Sequence, residues 1–412
     1  MTHDPYAALR FKTYRWYLSA HTLTTLGLQM QTTALSWLIY EKTGSAALLG
    51  LSGLALFLPV LLLSFPVGHL VDEHPRRQML QIGHGLRFVG AIFLAIASFM
   101  NAPLISFFAT LVVVGIGNTF TSIAKPSILR DIVNEDAVEN ANNWNAIGRR
   151  TATIIGPIIA GLMITKTGDA SAVFAVNAVC LIIAFNCVQF LPLNRKKSGR
   201  TPMSWKTIGE GIRFIRTSPI ILSATLLDMF AVLLGGATIL LPIFAKDILM
   251  VGPTGLGFLV AAPSIGSLVM TIILAHRKSF SRAGMSLLIS VALFGVTMIV
   301  FGFSTNAILS FIALVGSGIF DAISVSIRST ILQLYVPERL RGRVFAVNMI
   351  FAYSSNEFGD FESGMVASLI GAEGSVIFGG IGAVLIAMIF GWHWKELRML
   401  GEMKMENNTV SH

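Results

Sequence analysis

The sequence predicts an all-α membrane protein with 12 transmembrane helices, built as two parallel six-helix repeats with both termini in the cytoplasm. Three observations predict it: a composition too apolar for a water-facing surface, a series of apolar runs long enough to cross a bilayer, and a repeat within the chain. Of 412 residues, 54% are hydrophobic and 12% charged, and the mean hydropathy is +0.72. A soluble domain of this size would carry roughly twice that share of charge. A transmembrane β-barrel would show segments of about ten residues alternating apolar and polar. The runs here are instead continuous over about 20 residues or more, the length at which a helix spans the hydrocarbon core.

The spans read in the first half are 16–40, 46–71, 79–99, 104–123, 146–164 and 171–191, and those in the second are 220–245, 256–275, 285–303, 307–334, 344–370 and 375–394. The organisation that follows is an N-terminal six-helix bundle over 1–191, a cytoplasmic linker over 192–218, a C-terminal bundle over 219–395 and a cytoplasmic tail over 396–412. Residues 1–15 carry Asp4, Arg10, Lys12 and Arg15, and no small-residue cleavage site follows a short apolar stretch. No cleavable signal is therefore expected, and the helices themselves direct insertion.

Orientation follows from the cations, because Lys and Arg collect in cytoplasmic loops near helix ends. With both termini inside, 26 of the 30 Lys and Arg fall on the cytoplasmic side and only Lys42, Lys166 and Lys246 fall outside. Arg87 is left in mid-span, while Arg149 and Arg150 at the start of 146–164 and Arg328 in 307–334 are counted with the cytoplasmic side. The net charge of +9 is explained by this loop bias, so no nucleic-acid partner is implied.

Cys180 and Cys187 are seven residues apart on one predicted helix, roughly 10 Å along its axis, too far for a disulfide, and read as packing residues. No GxxxxGK[ST] phosphate loop occurs, and the loops are too short to house a nucleotide-binding domain. No cofactor and no metal site are expected, the chain is not read as an enzyme, and any work it does must draw on a gradient or a partner.

The internal repeat appears when the sequence is shifted by 203 residues. Gly115 then falls on Gly318, Glu135 on Glu338, Asn145 on Asn348, Gly156 on Gly359 and Gly161 on Gly364, in one ungapped register, and polar Asn118 meets Asp321. Glycines alone are common in membrane helices, but identities in one frame over about fifty residues point to duplication. Each half has six helices, so the repeats are parallel. Transporters with such halves hold substrate near the bilayer midplane and alternate access by rocking one half against the other.

Within the linker, Trp205, Ile208, Ile212 and Ile215 recur at helical spacing while Lys206, Arg213 and Arg216 lie off that stripe. Two readings stay open: a short helix on the anionic membrane face, or a solvated tether.

Between the second and third spans stands Gly68-His69-Leu70-Val71-Asp72-Glu73-His74-Pro75-Arg76-Arg77. This stretch resembles the GxxxD(R/x)xGRR loop signature of the major facilitator superfamily, with His74 and Pro75 where the family commonly has other residues. The resemblance implies a conformational latch of Gly68, Asp72, Arg76 and Arg77, with Gly68 allowing close helix approach, Asp72 accepting at a helix end and the arginines anchoring the cytoplasmic rim. The alternative is that Arg76 and Arg77 serve topology alone.

Three further segments resemble the exporter branch that includes enterobactin-type siderophore exporters and macrolide efflux proteins. They are Gly211-Ile212-Arg213-Phe214-Ile215-Arg216-Thr217-Ser218-Pro219, Leu340-Arg341-Gly342-Arg343-Val344, and Gly156-Pro157-Ile158-Ile159-Ala160-Gly161. The last is similar to the GPxxGG stretch associated with antiporters, marking Gly156, Pro157 and Gly161. The resemblance covers residues 10–395. The span 104–123 lacks the mid-helix Arg of many proton-coupled drug antiporters, so coupling of that form is not implied.

Proton coupling would need carboxylates that can be desolvated and reprotonated as the site faces each side. Five acids lie inside the predicted spans: Asp228, Asp321, Glu357, Asp360 and Glu362. Each charge costs roughly 2.5–3.5 kcal/mol at a helix centre, so they are expected to face the cavity. Glu357 and Asp360 share a helical face, with Asn356 beside them. Alternatively, Asp321 or Glu357 pairs permanently with Arg328 or Arg87. A cavity rich in acid suits a cationic or amphipathic cargo, whereas an anionic siderophore would need an accessible Arg, for which Arg87 and Arg328 are the candidates.

In the first span His21, Gln29 and Gln31 interrupt apolar sequence. The two Gln point about 200° apart, so at least one is expected to bond a neighbouring helix. Asn118, Asn177 and Asn186 read as interhelical donors more readily than as ligands, and His21 as a packing histidine. Gln29, Gln31, Asn118, Arg87 and Arg328 are retained as weaker candidates for the substrate cavity.

The function these readings imply is secondary active transport: proton-coupled efflux of a small amphipathic siderophore or drug from cytoplasm to periplasm. The chain is read as a monomer in the lipid bilayer of a bacterial inner membrane, with the cargo and protons as partners. An importer or lysolipid translocator on the same fold, and a non-transporting membrane receptor or assembly factor, remain alternatives. The two halves are alike in frame but unequal in chemistry, so the first is expected to gate and the second to couple.

Overall fold

A computed structural model of the chain describes residues 4–191, 205–236, 238–277 and 280–401. The described residues are almost wholly helical, in the order α1 (Lys12–Thr43), α2 (Ala46–Glu73), α3 (Arg76–Phe99), α4 (Leu104–Ile132), α5 (Val138–Thr167), α6 (Ser171–Gln189), α7 (Trp205–Thr217), α8 (Pro219–Gly235), a short α9 (Leu241–Ile243), α10 (Gly252–Ala275), α11 (Ala283–Phe303), α12 (Ala307–Tyr335), α13 (Glu338–His393) and α14 (Lys395–Arg398). Among these residues ten helices are long and apolar enough to cross a membrane.

Local chemistry explains where the helices stop. Gly44 ends α1 and Gly168 ends α5 in the left-handed region, at φ 61° and 73°, where a side chain would be strained. Ser45 caps α2 by accepting from the Leu48 amide, and Asn306 caps α12 by accepting from the amides of Ile308 and Leu309 at 2.9 and 3.1 Å. Pro75 and Pro103 sit just before α3 and α4, where a residue without an N–H is tolerated. The 56-residue α13 is interrupted at Gly371, whose φ of 82° and ψ of 164° are not helical, so it comprises two helical segments.

Apart from the large apolar residues of the core, α-carbons approach closely wherever a small residue lets two helices meet. In α3, a Cβ on Gly83 would lie 2.8 Å from the Gly117 carbonyl of α4. In α12, a Cβ on Gly318 would lie 2.7 Å from Cα of Pro263 in α10. With lipid on the outside, such close packing takes the place of a hydrophobic driving force between helices. Many large apolar side chains accordingly point outward, Ile105 and Leu369 among them.

The chain divides into two compact units: Met1–Met203 with Leu241–Ala261, and Ser204–Leu240 with Ala262–His412. Inside the first unit, a Cβ on Gly161 of α5 would lie 3.1 Å from Cα of Thr254, a Cβ on Gly257 of α10 would meet the Pro157 carbonyl at 2.5 Å, and the hydroxyls of Thr165 and Thr254 are 2.8 Å apart. These contacts explain why 241–261 packs with the first unit despite following 204–240 in sequence.

The linker residues 192–204 and the tail residues 402–412 lie outside the described residues, as do the side chains of Trp205, Lys206 and Ile208. The remainder of the linker forms α7, which packs within the second unit. Its Ile215 is buried, Gly211 lies against the Arg343 carbonyl, and Glu210 forms an ion pair with Arg343.

Candidate functional site

The acids of the second unit come from three helices. Asp228 on α8 forms an ion pair with Arg328 on α12, and Arg328 Nε also donates to the Ser324 hydroxyl at 3.2 Å. Asp228, Asp321, Ser290 and Ser324 share a small cavity with Phe294 and Phe320, about 20 Å³ in volume, which is room for about one water molecule. The ion pair thus sits beside a water-sized pocket in otherwise apolar surroundings.

A second acidic cluster lies on α13, opposite a break in the chain. Helix α8 ends at Gly235, Gly236 turns to an extended conformation, and a 3₁₀ turn restarts at Thr238–Leu240, followed by α9 and a π-helical stretch at Phe244–Ile248. The break leaves backbone groups without their i−4 partners. Two are taken up from α13: the Ser363 hydroxyl donates to the Gly236 carbonyl at 2.6 Å, and the Ile239 amide donates to the Asp360 carboxylate. Gly359 makes the approach possible, since a Cβ there would lie 2.9 Å from the carbonyls of Val232 and Leu233. Glu357 lies one turn before Asp360 on the same face, close enough for the two charges to interact, and Glu362 is half-buried. Asn356 is exposed and donates to the Ala352 carbonyl of its own helix.

In the first unit Arg87 is 4% exposed and donates from Nη2 to the Thr24 carbonyl of α1 at 3.1 Å. Gln31 accepts from the Asn177 amide of α6 at 2.6 Å, deep in the helix packing. Gln29 lies against α5, where a Cβ on Gly156 would come within 2.8 Å of its own Cβ, and Asn118 is half-buried on α4.

At the loop between α2 and α3, Arg76 forms an ion pair with Asp131 of α4 at 2.5 Å, and Arg77 beside it is half-buried. The Asp72 side chain lies outside the described residues. Space around Gly68 is open: a Cβ there would meet no atom within 4 Å, so no close helix approach is made at this glycine.

Elsewhere in the first unit the Tyr40 hydroxyl donates to Asp247, and the Lys246 ammonium lies 5.7 Å from the Tyr40 ring centre. Asp169, between α5 and α6, accepts from the Ser98 hydroxyl at 2.7 Å and from the Ser171 amide at 3.1 Å. Partial burial pushes the Asp169 carboxyl up, but the hydrogen bonds from Ser171, Ser98 and the Ala170 amide outweigh it and hold the group below its ordinary value.

Several of these residues escaped the sequence reading. Asp131, Tyr40 and Asp247 find partners 55 and 207 residues away, where no local pattern signals contact. His84 and Lys125 were visible only as a lone polar residue in a span and as one more cation near a helix end. Cys180 and Cys187 are both buried free thiols.

A family described as transmembrane secretion effector matches the chain over residues 3–410. The multidrug efflux pump Tap of Mycolicibacterium fortuitum is 25% identical over 86% of this chain and 89% of its own length. The enterobactin exporter EntS of Shigella boydii is 24% identical over 90% and 86%, and macrolide efflux protein A of Streptococcus pyogenes 22% over 92% and 95%. Among solved structures, a bacterial homologue of the iron transporter ferroportin in an inward-facing state superposes with a TM-score of 0.72 at 18% identity, covering 93% of this chain and 98% of that one. A D-xylose-proton symporter superposes at 0.70 with 13% identity, covering 95% and 100%.

Proposed function

Because the chain belongs to the transmembrane secretion effector family of the major facilitator superfamily, and is thus a multi-pass membrane transporter of small molecules, we propose that it exports a small amphipathic molecule in exchange for protons. The direction is supported by relatives named for efflux of drugs, enterobactin and macrolides. The proposed cargo is a siderophore or drug, moved from cytoplasm to periplasm across a bacterial inner membrane. The twelve-helix reading counts the ten apolar helices, with α13 taken as two at Gly371, together with α1. The cation bias of the loops supports a cytoplasmic side for both termini.

The observation that carries the coupling is the Asp360 carboxylate holding the Ile239 amide across the break in α8. A hydrogen bond to a carboxylate is roughly twice as strong as one to a neutral acceptor, so protonation weakens the tie. Broken helices at the site are a recurring device of transporters, because the freed backbone can rearrange without unfolding a helix. Loading Asp360 with a proton frees the segment after Gly236, and losing the proton fastens it again. Glu357 lies one turn away on the same face of α13. Asp228, Asp321 and Glu362 line the same unit as further carriers, with Asn356 at its edge. Arg328 fixes Asp228 in place. The latch comprises Asp72, Arg76 and Arg77, with Arg76 on Asp131 as its described contact; Gly68, with open space around it, is left out.

Cellular retention of a macrolide, of rhodamine 123 and of the anionic dye carboxyfluorescein tests the reading. Cells expressing the chain should retain less of at least one than cells expressing the Asp360→Asn variant, and a protonophore should abolish the difference. A difference that survives the protonophore would overturn the coupling.

A further inference from the structure

Arg87 is a cation with no counter-charge among the described residues. It lies midway along the 24-residue α3, too far from either end for its side chain to reach out to water, and is 4% exposed. Of its five N–H donors one is used, on the Thr24 carbonyl, and no carboxylate pairs with it among the described residues. The other membrane-embedded arginine, Arg328, is neutralised by Asp228.

It is also not alone. His84, one turn earlier on α3, is 1% exposed, and its Nδ1 has no hydrogen-bond partner. Lys125 of α4 is close enough for its charge to act on Arg87, His84 and His21 of α1, and Arg149 acts on His21 as well. Lys125 has no ion pair among the described residues, and the buried Nδ1 of His21 is likewise without a partner. The backbones are drawn together at this point: Gly117 of α4 lies against the Arg87 side chain, where a Cβ would come within 2.8 Å of its Cγ.

Arg87 has forfeited its hydration in apolar surroundings, and a second cation near enough to act on it adds repulsion. Such an arrangement persists where an anion completes it, and intramembrane charges of this kind mark ligand paths. We infer that the first unit contains a binding site for an anionic group of the cargo, formed by Arg87 and Lys125 with His84 and His21 offering ring nitrogens beside them. The inference rests on the transporter reading above and narrows its cargo to amphipathic molecules bearing a carboxylate, phosphate, sulfonate or ionised catechol. The guanidinium supplies a planar fork for two oxygens and the ammonium a point charge.

Equilibrium binding to the full chain in lipid nanodiscs tests this, read by fluorescence anisotropy with carboxyfluorescein as the anionic probe and rhodamine 123 as a cationic probe of similar size. Carboxyfluorescein should bind at least roughly tenfold tighter than rhodamine 123, and Arg87→Gln and Lys125→Gln should each weaken it by about tenfold. Arg87→Lys should recover part of the affinity, and thermal unfolding of each variant shows that the fold is kept. Absent carboxyfluorescein binding, equal or tighter binding of rhodamine 123, or an affinity unmoved by both Gln variants would overturn the site. Transport of the two dyes by the same proteins separates the claims. A protein that binds carboxyfluorescein through Arg87 but moves neither dye retains the anion site and fails as an exporter. One that moves rhodamine 123 alone keeps export and loses the anion site.

Discussion

Asp228 of α8 and Arg328 of α12 form an ion pair inside the second unit, beside a cavity large enough for about one water. Removing one partner of a buried pair strands the other, at a cost of about 3–5 kcal/mol, whereas replacing both with apolar groups is often neutral. Asp228→Leu and Arg328→Leu should each lower the thermal unfolding midpoint in detergent, and the double variant should recover most of the loss. A double variant as unstable as the sum of the singles would show that the two side chains act separately.

Across the break in α8, the Ile239 amide and the Asp360 carboxylate make a second charged contact. Asp360→Asn keeps the size and an acceptor oxygen but removes the charge and the titrating proton. Membrane insertion and unfolding should stay close to wild type while cargo transport against a pH gradient falls at least about tenfold. Glu357→Gln should shift the pH at which transport is half-maximal. Wild-type transport by Asp360→Asn would remove this residue from the coupling.

The Asp169 carboxylate ties the end of α5 to the start of α6, and its pH dependence has a definite sign. Its folded value is depressed, so the charged form stabilises the fold above the unfolded value of about 4. That stabilisation is lost as pH falls through the depressed folded value. Wild type should therefore exceed Asp169→Asn in unfolding midpoint at pH 7, and the gap should close as pH falls through the depressed folded value. A gap that persists in acid would assign the effect to packing instead.

Gly318 faces the backbone of Pro263, with a Cβ only 2.6 Å from the proline carbonyl carbon, while a Cβ on Gly85 would meet nothing within 4 Å. Gly318→Ala should cost about 1–3 kcal/mol of stability by pushing α10 and α12 apart. Gly85→Ala should leave stability unchanged or raise it by about 1 kcal/mol, through helix propensity. Unfolding midpoints of the two variants decide it.

Much of the frame was legible in the sequence because span length is a local property: twenty apolar residues announce a helix whatever they pack against. The ends at Gly44 and Gly168 rest on local chemistry too, but the apolar runs stop short of them, at 40 and 164. The break at Gly236 was not, because residues 220–245 read as one apolar run, and the break is held open by Ser363 and Asp360 from a helix more than a hundred residues away. The acids of α13 were conspicuous because charge is rare in a span. Their partners were not, since pairing depends on rotation about the helix axis and on which helices are neighbours. Arg87 was noticed for the same reason, whereas Lys125 was absorbed into a count of loop cations. That count assigns charge by position along the chain and takes no account of the direction in which a side chain points.

Export driven by protons through the second unit can be read directly as proton flux in inverted membrane vesicles. With an inside-acid gradient imposed, adding the exported dye should release protons in wild type, and the dye should accumulate inside. In Asp360→Asn vesicles neither should occur. Dye accumulation without proton movement, or proton movement retained in Asp360→Asn, would rule out proton-driven export through Asp360.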